Sequence, residues 1–371
     1  MTQTISVLEE EVFTEIPNIT EGSTEAERPH VPVWIWHEFK FRDWYRYFQL
    51  LFGCVGVSGN LLVIVVLYSR RKAKSSTDTL IAALAAADLL TSLIILPRPY
   101  LLTTPYLWVT KFYCYLFGTD ALLRTCITAS VFTLTALSVQ RYTAVIYPIR
   151  YRFAFTKSRT VMYVIALWIL SAAITTYLAF FAYVDPVRYL CSYKPLPPGV
   201  QIPSAVAYLT ASFLAPVMIM VVTQLAVVRR LHREADNFNK ESSRSDESDP
   251  AYRLRIARNR VINLVLIVII TFLLSWTPAQ LGLLITQIII VRGNQLLDQH
   301  IYWSFVVVAY VNSCANPIIY TARYPQFRKA VKDMFKSKRI EQRPLFDQDA
   351  GDGATKSTVL SSTVSEDKNT V

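Results

Sequence analysis

Five ionisable side chains stand within or at the borders of long apolar runs, and their types limit the chemistry available. Asp88 lies in LAAADLL, Arg98 sits between Pro97 and Pro99, Asp120 and Arg124 are four residues apart, and Arg141 follows a stretch without charge from Thr125 to Gln140. A carboxylate in such a setting needs polar partners, and a guanidinium needs acceptors. Arg98 and Arg124 are suited to receiving an anionic group. Alternatively, Asp120 is on the helix face of Arg124 and pairs with it. None of these sets looks catalytic. No run carries paired His, Glu or Cys at metal-ligand spacing, and no hydrolase or phosphate-loop motif appears. An enzyme is therefore not expected.

The elements that hold these residues are long and apolar. The chain has 371 residues, of which 53% are apolar and only 18% charged, against about 25% in soluble proteins. Apolar stretches occupy roughly 47–69, 79–97, 112–140, 160–184, 200–228, 261–291 and 299–322, each near the ~20 residues that cross a bilayer as a helix. Helices are expected because a lipid-exposed segment must satisfy its own backbone, and the runs are too continuous for a membrane barrel. The fold class is thus an all-α membrane protein, a seven-helix bundle. The net charge of +11 reads as basic inner loops, not as a nucleic-acid footprint. Arg70, Arg71, Lys72, Lys74, Arg150, Arg152, Lys157 and Arg159 fall on one face, which places the N-terminus outside and the C-terminus inside. An acidic outer arm is expected over 1–44, the bundle over 45–322, an amphipathic helix over 323–340, and a disordered Ser/Thr-rich tail over 341–371. No cleavable signal peptide is visible. Asn18, in Asn18-Ile19-Thr20, is the glycosylation candidate. Cys114 and Cys191 both fall outside, where a disulfide can form. Depth along the runs puts Asn60, Ser130, Asn312, Ser313 and Asn316 near Asp88.

Seven short motifs follow one another, one per run: Gly59-Asn60, a Leu-x-x-x-Asp ending on Asp88, Arg141-Tyr142, Trp168, Pro216, Trp276-x-Pro278 and Asn316-Pro317-x-x-Tyr320. In that order they resemble the rhodopsin-like (class A) G-protein-coupled receptors over about residues 45–336. The resemblance implies a plasma-membrane receptor that binds an extracellular ligand and activates a heterotrimeric G protein. It implies that Asp88, Ser130, Asn312 and Asn316 hold a sodium ion. A dry network around a protonated Asp88 is the alternative. It implies that Arg141 faces an inner cavity and meets the G protein, followed by the turn at Pro148 and the apolar Ile149. Pro278 and Pro317 remove helix hydrogen bonds and create hinges.

Departures from the pattern are as informative. Gln140 stands where most members carry an acid that restrains the arginine, and the inner end of span six is basic. Gln224 replaces a tyrosine expected in span five. Raised basal activity is expected, or a compensating Gln140–Arg141 hydrogen bond. The distance from Cys114 to Arg141 exceeds the family's, so either span three begins with an irregular turn or counts from its two ends disagree. An amine receptor would carry an acid at Leu123, and Asp120 lies one turn further out, so an amine is disfavoured. Span seven has no lysine for retinal, and Tyr310 stands near that position. The ligand crevice is expected around Arg98, Asp120, Leu123, Arg124, Trp276, Gln280, Tyr302 and Tyr310. A neuropeptide is the favoured ligand, with a small anionic or lipid-acid ligand as alternative. A transporter or channel is the rival of another class, but no inverted repeat is evident. After Tyr320, Phe327, Val331, Met334 and Phe335 recur at helical spacing among basic residues, as in a helix lying on the inner leaflet. The Ser/Thr-rich tail offers sites for a receptor kinase and arrestin.

Overall fold

The computed structural model describes residues 33–35, 44–69, 75–98, 100–103, 107–176, 182–184, 191–193, 197–241, 250–291, 299–336 and 345–346. Seven helices within them are long and apolar enough to cross a membrane: Trp44–Ser69, Ser76–Ile95, Trp108–Ile146, Lys157–Thr175, Gly199–Arg233, Val265–Thr286 and His300–Arg323. They are called the first to seventh spans. The fifth continues inward to Glu241 and the sixth begins at Pro250, so the basic flanks extend both helices as their sequence allows. Asn18, the rest of the outer arm before Trp44 other than 33–35, and the tail other than 345–346 lie outside the described residues.

Local sequence explains the irregularities. Ser75 caps the second span through the N–H of Asp78, and the Asp78 carboxylate accepts the Ser75 N–H in return. This capping box satisfies two backbone donors that the helix end would otherwise orphan. The third span has three parts: Leu107–Tyr113, a π-helical turn over Cys114–Gly118, and Ala121–Ile146. Between the last two, Asp120 adopts φ 53°, a left-handed conformation that Asp tolerates better than most residues. The irregular turn expected from the Cys114–Arg141 distance is therefore present. In the fifth span another π-helical turn, Thr210–Leu214, stands just before Pro216. Proline clashes with the carbonyl four residues earlier, and the wider turn relieves that clash.

The fourth span ends earlier than the apolar run. That run was expected to continue as helix to residue 184, but Ala182–Val184 forms strand β3, paired antiparallel with β4, Cys191–Tyr193. Apolarity alone does not separate a helix end from a short β hairpin. A second outer pair joins β1, Val33–Ile35, to β2, Tyr100–Thr103, with a bulge between Val33 and Trp34. The outer arm thus contributes structure that its acidic composition did not announce.

Leu67, Leu80, Leu84, Leu137, Met220, Phe272, Tyr320 and Phe327 belong to one buried apolar cluster. The first and seventh spans approach closely at Gly59, where an added methyl would lie 2.9 Å from Pro317 Cβ. Met162, Ile169 and Leu274 face outward and are exposed, as expected of surfaces turned to lipid. The helix Pro325–Phe335 lies after the seventh span. It buries Phe327, packs Val331 and Met334 against the core, and leaves Phe335 exposed.

Candidate functional site

Three polar sites line the bundle at different depths. The middle one centres on Asp88, which is buried on the second span. Ser130 on the third span donates to Asp88 Oδ1 at 2.8 Å, and Asn316 on the seventh donates Nδ2–H to Oδ2 at 2.7 Å. Asn60 on the first span ties in the seventh by donating to the Ser313 carbonyl at 2.7 Å. Its own Oδ1 is buried and accepts nothing. Asn312 is buried but makes no hydrogen bond to Asp88. A carboxylate offers about four lone-pair directions. Two remain open here on a carboxylate whose described partners are Ser130 and Asn316.

The outer site gathers charge. Asp120 has the guanidiniums of Arg124 and Arg98 as its charge neighbours, Arg124 the stronger, and Tyr302 of the seventh span senses both Asp120 and Arg124. The break at Asp120 makes this possible. With the turn at 119–120 unwound, Arg124 also donates to the Thr119 carbonyl. Arg98 donates to the Ile94 carbonyl at 2.8 Å and lies over the Phe117 ring at 5.0 Å. Among the described residues the site thus holds two guanidiniums and one carboxylate. Leu123 is half-buried and apolar, so no acid occupies the position one turn inward. Deeper in, Trp276 is half-buried with its Nε1–H shielded and unpartnered, Gln280 is buried, and Tyr310 is buried on the facing span. Cys114 is disulfide-bonded, whereas Cys54, Cys126 and Cys314 are free. The side chain of Cys191 lies outside the described residues.

The inner site surrounds Arg141, which is buried. Its Nη2 donates to Thr77 Oγ1 on the second span and, at 3.3 Å, to the backbone carbonyl of Phe346. Gln140 does not bond Arg141 as expected. Its Nε2 donates to Ser76 Oγ at 2.8 Å, and its Oε1 accepts from Thr77 Oγ1 at 3.4 Å. The physical reason is direction: successive residues on a helix point about 100° apart, so each reaches the second span separately. Thr77 is the shared partner. Just below, the Tyr142 and Tyr147 rings meet edge to face at 5.9 Å, and Pro148 opens the short helix Pro148–Ala154. Ile149 is 76% exposed on it. Tyr320 is buried in the core, with its ring 6.3 Å from Phe327. Sequence reasoning missed Thr77 and Asp78. The pattern Ser75-x-x-Asp78 marks the helix start, but nothing local reveals a contact across helices.

This arrangement of sites on seven spans has known counterparts. The model of the family 7 transmembrane receptor (rhodopsin family) matches residues 59–320. The chain belongs to this family. It is 30% identical over 299 residues to trace amine-associated receptor 7h of Rattus norvegicus, covering 78% of this chain and 82% of that one. It is 29% identical over 289 residues to trace amine-associated receptor 6 of Pan troglodytes, covering 76% and 82%. To the alpha-1A adrenergic receptor of Oryzias latipes it is 30% identical over 316 residues, covering 76% and 65%. The chain is therefore a multi-pass plasma-membrane receptor of the rhodopsin family, and not an enzyme.

Proposed function

We propose that this receptor, on binding an extracellular ligand, activates a heterotrimeric G protein, and that the ligand presents an anionic group, a peptide carboxylate being the first candidate. The observation that carries the ligand reading is that, among the described residues, two guanidiniums, Arg98 and Arg124, act on the single carboxylate of Asp120. An arriving carboxylate engages them through charge-assisted hydrogen bonds. An amine would have to compete with two guanidiniums already beside the carboxylate, and Leu123 offers no second acid. Coupling is supported by the exposed Ile149 on the inner surface and by Arg141 within the inner cavity. Ligand binding shifts the population of two bundle arrangements, with Pro278 and Pro317 as the weak points of their helices. The Asp88 cluster suits a sodium ion, with Asp88 as its charge and Ser130 and Asn316 as neighbours.

A second reading is an amine ligand. It is favoured by Asp120 lying beside Tyr302 and by relatives named for trace amines and as an adrenergic receptor. One experiment separates the two. The full chain is expressed with G-protein activation sensors and challenged with peptides bearing free or amidated carboxyl ends, with lipid acids, and with amines. The anionic reading expects a response to a free carboxylate that weakens at least roughly tenfold on amidation and in Arg124→Gln, as losing one charge-assisted pair implies. Activation by an amine, lost in Asp120→Asn and kept in Arg124→Gln, would sink it. For the cation, replacing sodium with potassium should lower the melting temperature of the wild-type chain and leave that of Asp88→Asn unmoved.

A further inference from the structure

The partners of Arg141 include an unexpected one. Leu345 and Phe346 belong to the segment expected to be a disordered tail, yet they are 1% and 0% exposed. Every backbone group of the pair is taken by a side chain of the bundle. Asp78 accepts both successive N–H groups, Leu345 N at 3.2 Å on Oδ2 and Phe346 N at 3.0 Å on Oδ1. Tyr324 donates its hydroxyl to the Leu345 carbonyl at 2.8 Å, and Arg141 donates to the Phe346 carbonyl at 3.3 Å. The Phe346 ring stacks on Tyr324 with centroids 4.8 Å apart and meets Tyr320 at 5.5 Å. Leu345 joins the apolar cluster of the inner half. Buried backbone groups in native structures are almost always paired, so a docked dipeptide with all four satisfied occupies a formed site.

We propose that Leu345–Phe346 is a tethered plug: the tail occupies the inner cavity beside Arg141, and must leave it before a G protein can enter. This rests on reading that cavity as the G-protein site. The bundle grips the segment through its backbone and asks only that the two side chains be apolar. Chain length permits the return. The helix Pro325–Phe335 spans about 16 Å, and the eight residues 337–344 reach about 26–29 Å when extended. A short tether also raises the local concentration of the segment to the order of millimolar, so a weak intrinsic contact keeps the cavity filled. The plug supplies the restraint on Arg141 that the neutral Gln140 does not. A competing G protein must displace it, which lowers agonist-free output without any acid beside the arginine.

The test uses the full chain in membranes and two readouts. With p-benzoylphenylalanine in place of Phe346, irradiation should cross-link the tail to peptides holding Tyr320–Tyr324 or Ser75–Asp78, and added G protein should reduce the yield. The full chain carrying Leu345→Ser and Phe346→Ser should show agonist-free G-protein activation raised on the order of tenfold, because losing two buried apolar side chains shifts a two-state equilibrium at least that far. Absence of the cross-link overturns the plug. A cross-link together with equal G-protein activation by both chains overturns the block. A cross-link with no activation of any G protein by either chain confirms docking and sinks the receptor reading instead.

Discussion

The regular part of the third span, Ala121–Ile146, carries an arginine near each end, and the two are accommodated in different ways. At the outer end the helix itself is distorted: the π-helical turn and the left-handed Asp120 bring a carboxylate to Arg124 and Arg98. At the inner end the helix is regular through Ile146, and among the described residues Arg141 meets only neutral oxygens, those of Thr77 and of the Phe346 backbone. Its Nε is buried without a hydrogen-bond partner. Charge met by charge fixes a site, because separating the pair leaves an ion uncompensated. Charge met by neutral dipoles is held less firmly and can exchange partners, which suits a switch. On the function proposed above, the outer site would persist until a ligand intervenes, and the inner site would let go.

The largest expected effect breaks the outer arrangement. Asp120→Leu leaves two guanidiniums facing each other without their carboxylate. The attraction of two nearby guanidiniums for a half-buried carboxylate is on the order of 2–4 kcal/mol at an effective dielectric constant of about 20, and that attraction is lost. Thermal unfolding of the purified receptor in detergent measures it. A drop no larger than that of a surface control would mean that Asp120 does not balance the two arginines. Rescue by Asp120→Glu is expected to be partial, since the left-handed backbone at this position sets where the carboxylate points.

Next is the inner site. Thr77→Val keeps the shape and removes the hydroxyl that both Gln140 and Arg141 use. A lost buried hydrogen-bond partner costs about 1–2 kcal/mol here, smaller than the outer loss because no ion pair is broken. Agonist-free output should rise with it. Gln140→Glu runs the other way: it places an acid beside Arg141, copying the outer arrangement at the inner end. Output should fall several-fold, read with the same sensors. If both variants match the wild type, Thr77 and Gln140 do not bias the position of Arg141, and the contrast between the two ends loses its functional meaning.

The two ends also differ in how far they could be read from sequence. The seven spans, the kink prolines and the polar residues around Asp88 were legible because apolar length and buried polarity are local signals. So was the irregular start of the third span, through the Cys114–Arg141 distance. The proximity of Asp120 to Arg124 follows from their spacing of four, although the helix breaks at Asp120 and the Arg124 guanidinium donates to the Thr119 carbonyl. The early end of the fourth span was not legible, since a short hairpin of Ala182–Val184 has the same apolar composition as a helix end. Nor was the inner site. Asp78 reads locally as a capping residue, and that role is real, but its second role depends on a segment 267 residues away. Two adjacent apolar residues in a polar tail, Leu345 and Phe346, were the only trace of it.

The smallest expected effect concerns Gln224, where the two ends of the comparison leave a loose thread. It is 4% exposed on the inner half of the fifth span, and both its Nε2 and its Oε1 are buried without partners. A buried amide in that condition destabilises the arrangement it sits in. Gln224→Leu should therefore stabilise the plugged receptor by about 1 kcal/mol, a melting increase of a few degrees. Its effect on signalling then decides what the amide is for. If Gln224 finds its partners only when the cavity is open, the substitution removes that gain and lowers output as it raises stability. A higher melting temperature with unchanged output would mean that the amide is unpaired in both arrangements. The neutral inner site would then owe its restraint to Thr77, Asp78 and the tail alone.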